Sequence, residues 1–85
     1  MDKNDQLFMQ LIYIFHHSAM QAMGKIMNPV TNKIERDLAQ SQQAIDMLEM
    51  IKEKTKGNIS EDLLKMMDGF LTELRLNYID ESNKK

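Results

Sequence analysis

Ile45-Asp-Met-Leu-Glu-Met-Ile-Lys-Glu-Lys-Thr-Lys-Gly-Asn-Ile-Ser-Glu-Asp-Leu-Leu64 reads as the end of one helix, a tight corner and the start of another. Lys52, Lys54 and Lys56 crowd the last turn, where cations meet the negative end of the helix dipole. Gly57 suits the left-handed conformation that closes a helix without a side-chain clash. Ser60 supplies a cap oxygen for the next helix. Glu61 and Asp62 stand in its first turn, where anions are favoured. Ile59 before the cap and Leu64 four residues after it have the spacing of a hydrophobic staple. Four independent signals predict a helical hairpin. Asp46, Thr55 and Asn58 are the residues whose types the corner does not demand, so a specific site is first sought there.

Working backwards, the helix that ends at this corner runs from about 33 to 55. Leu38, Ser41, Ile45, Leu48 and Lys52 follow a heptad seam. Ser41 falls on the inward stripe, where a small hydroxyl can bond a backbone carbonyl or a facing side chain. Before it, Asn28-Pro29 through Lys33 is a turn-rich connection, because proline disfavours helical geometry in the residue preceding it. Residues 5–27 make the first helix, capped by Asn4 or Asp5. Phe8, Leu11, Phe15, Ser18 and Ala22 form one stripe at spacings of three and four, and Ile12, Ala19 and Ile26 a second. Leu7, Met9, Tyr13 and Ile14 fill most of the remaining circumference. Gly24 lies inside this pattern, at a cost of about 1 kcal/mol relative to alanine. A strand over Leu11–Phe15 is rejected, since no other segment is suited to pair with it.

Working forwards, the third helix runs from 61 to about 80 on the stripe Leu63, Met67, Phe70, Leu74 and Tyr78. The expected fold is all-α. Three antiparallel helices (about 5–27, 33–55 and 61–80) with short loops are completed by a second copy. The 85 residues make one domain, with polar tails at 1–4 and 81–85.

The 11 basic and 13 acidic residues are mixed along the chain, and the net charge of −2 leaves no electrostatic footprint for nucleic acid. There is no cysteine, hence no disulfide and no thiolate metal site. The start of the chain lacks the basic, small-residue signature of a signal peptide, and no apolar run is long enough to span a bilayer. The expected location is the cytoplasm.

A three-helix bundle needs one apolar stripe per helix, about three positions in seven. The first helix offers nearly a full cylinder. Surplus apolar surface marks an interaction site, and a homodimer or higher homo-oligomer accounts for it. Phe8, Leu11, Phe15, Ser18 and Ala22 are the candidate interface. The small pair Ser18 and Ala22 lets another backbone approach closely. Nine methionines add a second clue, since methionine adapts to partners as readily as it fills cores.

Candidates for chemistry are weaker. His16 and His17 are adjacent, so they point about 100° apart on a helix and do not chelate one ion together. Asp46, Glu49 and Glu53 share a face, a spacing that suits acid/base work, but the lysines that follow make a solvated mixed-charge surface the simpler account. Phosphate loops and nucleophile elbows are missing from the sequence. No cofactor is expected.

The corner carries a resemblance. Ile45-Asp46, Leu48, Ile51 and Lys54-Thr55-Lys56-Gly57-Asn58-Ile59 resemble a small bacterial family known as a domain of unknown function. Its core reads Ile-Asp-x-Leu-x-x-Leu-x-x-Lys-Thr-Lys-Gly-Asn-Leu. The similarity reaches back through Ala22-Met23-Gly24, Pro29 and Asp37-Leu38, and forward to Leu71, Leu74-Arg75 and Tyr78. The chain has Ile51 and Ile59 where leucine is usual, and Ser60-Glu61-Asp62 in place of a threonine-led cap. The resemblance implies a helical protein without an assigned activity, so it supplies no catalytic or ligand-binding residue.

The expected function is therefore non-enzymatic: self-association and protein–protein contact through the first helix. A second reading is an adaptor that holds a partner's helix in a methionine-lined groove. Membrane-surface and metal-binding roles rank below these. The corner residues Lys54, Thr55, Lys56, Gly57, Asn58 and Ser60 are kept as a second candidate site.

Overall fold

The computed structural model describes residues 2–84. The tail expectations at Met1 and Lys85 lie outside them. Three helices and no named strand make up the regular structure of the described residues: α1 (Lys3–Ala22), α2 (Leu38–Lys54) and α3 (Glu61–Ser82).

Each helix begins at an oxygen cap. Asp2, rather than Asn4 or Asp5, accepts from the Asp5 N–H at 2.7 Å. Asp37 accepts from Gln40 at 3.1 Å, and Ser60 accepts from Leu63 at 3.3 Å, as its position at the corner predicts.

The ends differ from expectation at three places. α1 stops at Ala22, short of residue 27, because Gly24 takes φ +83° and turns the chain. The Lys25 N–H bonds the Met20 carbonyl at 2.9 Å and the Gly24 N–H bonds Gln21 at 3.0 Å, the paired bonds of a Schellman end. Gly24 is thus a stop signal, where spacing alone placed it inside the helix.

α2 begins at Leu38, later than 33. The chain stays extended up to Asp37, which caps the helix, while residues 28–33 form the expected turn, with the Asn28 N–H bonded to the Lys33 carbonyl at 2.8 Å and Asn28 Oδ1 accepting from Val30 at 2.9 Å. At the other end, α3 runs on to Ser82, and Glu81 is buried at 6% exposure where a polar tail was expected.

Ile12, Ala19 and Met23 of the first segment meet Ala44, Ile45 and Leu48 of α2 and Met67, Leu71 and Leu74 of α3 in one core. The second stripe of α1 is therefore the one that faces inward. Phe8 and Phe15 flank it, half-buried. Ser41 is fully buried and donates to the Ala19 carbonyl at 3.3 Å, the role its inward position suggests. A leucine there would overfill the α1–α2 contact.

Contacts run up α1 as they run down α2: Asp37 bonds Ala22 and Ser41 bonds Ala19. Glu49 pairs with Arg75 and Lys52 with Asp68 in the same opposed order between α2 and α3. The Cα trace measures 41 × 26 × 16 Å, a thin slab. Its radius of gyration, 13.6 Å, exceeds the roughly 12 Å expected of a globular chain of this length. Each helix touches the other two, α1 meeting α3 where the rings of Tyr13 and His16 pack on Phe70, so each keeps an outward side without protein cover.

Candidate functional site

The uncovered side of α1 carries Leu7, Leu11 and Ile14, exposed by 50%, 42% and 63%. They lie four and three residues apart, hence on one stripe. Ser18 continues the stripe into a hollow of about 220 Å³ lined by Phe15, Ser18, Gln40, Gln43, Ala44 and Met47. Met47 and Met50 are exposed along the neighbouring side of α2. Ser18 and Gln40 also border a polar cleft with Gln21, Asn28, Glu35, Arg36 and Asp37 on its walls. One α1–α2 face results, apolar toward the start of α1 and polar toward its end. No Asp, Glu, Lys or Arg occurs between Gln6 and Gly24.

The five residues expected at an interface fall into two groups. Leu11 and Ser18 are exposed on this face. Phe8 and Phe15 are half-buried against the core, and Ala22 is buried. Leu7 and Ile14 complete the stripe in place of the phenylalanines. Their 7–11–14–18 spacing is a second seam readable in the sequence, masked by the more conspicuous phenylalanine stripe beside it.

The polar cleft's charged groups are already engaged. Asp37 caps α2. Glu35 accepts from the Thr31 hydroxyl. The Arg36 guanidinium donates to the Glu81 carbonyl and lies 3.8 Å from the Glu81 carboxylate.

Glu81 gathers more partners: Lys84 at 2.6 Å and Lys25 at 3.0 Å, with Lys25 also 3.1 Å from Asp80. The hydrogen bonds from Lys84 and then Lys25 hold its carboxyl at a pKa of about 2. The same contacts, Glu81 first and then Asp80, raise that of Lys25. This clasp ties the α1–α2 connection to the end of α3. In the sequence Lys84 stands three and four residues from Glu81 and Asp80, a spacing that hints at half of it.

The corner residues have structural partners. The Thr55 hydroxyl donates to the Ile51 carbonyl at 2.7 Å. The Asn58 N–H bonds the Thr55 carbonyl at 2.8 Å across a turn in which Gly57 has φ +86°. Lys54 and Lys56 are exposed. Asp46 accepts from Gln42 at 2.9 Å on the surface of α2, about 13 Å along the helix from Thr55. The corner does not bring Asp46, Thr55 and Asn58 together.

His16 Nε2 lies 3.4 Å from Glu73 Oε1 without hydrogen-bond alignment, and its ring sits 4.5 Å from that of Phe70. His17 is exposed. Among the described residues no three His, Asp or Glu side chains gather as metal ligands, and no helix is long and apolar enough to cross a membrane.

A family model described as Domain of unknown function (DUF1844) matches residues 5–80. Neither a curated protein nor a solved structure matches the chain.

Proposed function

The chain belongs to the family described as Domain of unknown function (DUF1844), a description that names no activity, and we propose that it works without catalysis, by associating with itself through the α1–α2 face. The observation that carries this reading is the row Leu7, Leu11 and Ile14, left in solvent beside Met47 and Met50. Fully burying a leucine-sized side chain contributes about 1.5–3 kcal/mol, and these three are about half exposed, so covering the row supplies roughly half of that for each. The engaged charges of the neighbouring cleft support a binding role over acid–base work. A cytoplasmic location fits the absence of cysteine.

A second reading, an adaptor holding a partner's helix, uses the same face. The exposed Met47 and Met50 favour it, since methionine repacks against different partners.

Light scattering after gel filtration tests the proposal. The expected mass is at least twice the 10.0 kDa of the chain. Leu11→Arg is expected to return it to a monomer that stays folded, because Leu11 is 42% exposed and outside the core. A wild-type monomer at micromolar concentration overturns self-association. Co-elution with a different helical chain favours the adaptor.

A further inference from the structure

We infer that two copies lie antiparallel along α1, with Leu7 of each copy seated in the other's hollow between Ser18 and Ala44. This rests on the reading that a second copy covers the α1–α2 face, and it adds direction and register to it.

Charge selects the occupant. A two-fold contact sets each patch against itself, so a charged patch repels its own copy. The stretch from Gln6 to Gly24 carries no Asp, Glu, Lys or Arg, and meets its copy without that cost. A partner recognised by opposite charge finds nothing there to pair with.

Spacing selects the direction. Asn4, Leu7, Leu11, Ile14, Ser18 and Gln21 advance by alternate steps of three and four, the seam of a heptad. Reversed about the midpoint between Leu11 and Ile14, the seam sets Leu11 against Ile14, Leu7 against Ser18 and Asn4 against Gln21. Apolar meets apolar at the centre, long meets short beside it, and amide meets amide at the ends. A parallel pair instead sets Ser18 on Ser18, and brings Asp2, Lys3 and Asp5 onto their own copies. Opposed helix dipoles also favour the reversed pair.

The hollow selects the register. Ser18 and Ala44 are short, and the space they border measures about 220 Å³. Leu7, half exposed, is the knob such a hole receives.

The chain's lack of cysteine makes the test clean. Leu7→Cys and Ser18→Cys are prepared separately, confirmed to be helical, and oxidised alone and as an equal mixture. Each variant chain then carries a single cysteine, so every disulfide formed joins two chains. The expected result is covalent dimer from the mixture and its loss in either variant alone. Covalent dimer from Ser18→Cys alone shows a parallel pair and overturns the inference, leaving self-association standing. A dimeric mass without any cross-link places the interface elsewhere, with the same consequence. A monomeric mass for the wild type overturns both.

Discussion

The chain turns twice, and the two turns are held by different means. Between α2 and α3 every group is close to its partner in sequence: Thr55 reaches back to Ile51, Asn58 to Thr55, and Ser60 forward to Leu63. Between α1 and α2 the turns at Gly24 and at Asn28–Lys33 are local too. The course of the segment, however, is set by Arg36 and Lys25, which meet the end of α3 at separations of 45 and 55 residues. A corner built from neighbours forms as soon as its helices do. A connection clasped from afar needs α3 in place, so its order depends on the whole fold.

The most damaging change by this account is Glu81→Ala. It leaves Lys25, Arg36 and Lys84 facing one another without their shared carboxylate. Its urea midpoint is expected to fall further than that of any substitution at the α2–α3 corner. Glu81→Gln isolates the charge. The Glu81 carboxyl binds its proton less tightly when folded, at about 2 against an ordinary 4.5. Its contribution is therefore complete above pH 4.5 and is lost as pH falls toward 2. The gap between wild type and Glu81→Gln should close across that window. Lys25 acts in the opposite sense: its pKa is raised, so its share persists below the ordinary 10.5 and goes as pH rises past the folded value. A gap that is constant from pH 7 to 2 would show that the clasp's charge does not hold the connection.

This difference in range explains which features were legible in the sequence. The corner at Gly57 and Ser60 was, because all its causes lie within one stretch of residues. The burial of Ser41 was as well, since it lies on the inward stripe, though the stripe does not say whether it meets a backbone carbonyl or a side chain. The end of α1 was not: Phe8, Leu11, Phe15, Ser18 and Ala22 carried a strong helical pattern up to Gly24, and Ile26 prolonged it. The buried Glu81 was hidden for another reason. Nothing near it in sequence announces Lys25 and Arg36, and an acid before Ser-Asn-Lys-Lys reads as tail. On α1 the surplus of apolar surface was readable, while the stripe that the fold leaves exposed was not. Phe8 and Phe15 drew attention because they are large, yet the core takes them, and the smaller Leu7, Leu11 and Ile14 are left outside.

Gly24 and Gly57 sharpen the comparison at the level of one backbone angle. A glycine inside a helix is improved by alanine; one held at positive φ, at a helix end like Gly24 or in the turn after one like Gly57, is harmed by it. With φ of +83° and +86°, both belong to the second kind. Gly24→Ala and Gly57→Ala are each expected to cost about 1–2 kcal/mol in urea unfolding. A Cβ at Gly24 would meet Ile34 Cγ2 at 3.5 Å and Arg36 Cβ at 3.7 Å, ordinary contacts, and one at Gly57 would meet nothing within 4 Å. The two costs should therefore agree. A clearly larger loss at Gly24 would mean that the α1–α2 connection is packed more tightly than these distances imply.

Thr55→Val asks whether the α2–α3 corner is anything more than a corner. The hydroxyl donates to the Ile51 carbonyl at 2.7 Å, but that carbonyl also accepts the Thr55 N–H at 3.0 Å. Removing the hydroxyl leaves the oxygen with a partner, and valine keeps the shape of the side chain. The expected cost is about 0.5 kcal/mol, the low end for a hydrogen bond, because no buried group is orphaned. The native mass should not change, since the Thr55 hydroxyl is turned back onto the Ile51 carbonyl of its own helix. A change in mass, or a loss beyond about 1.5 kcal/mol, would give Thr55 a role that closing a helix does not explain. It would also make the Lys54–Asn58 run a candidate binding surface, beside the proposed α1–α2 face.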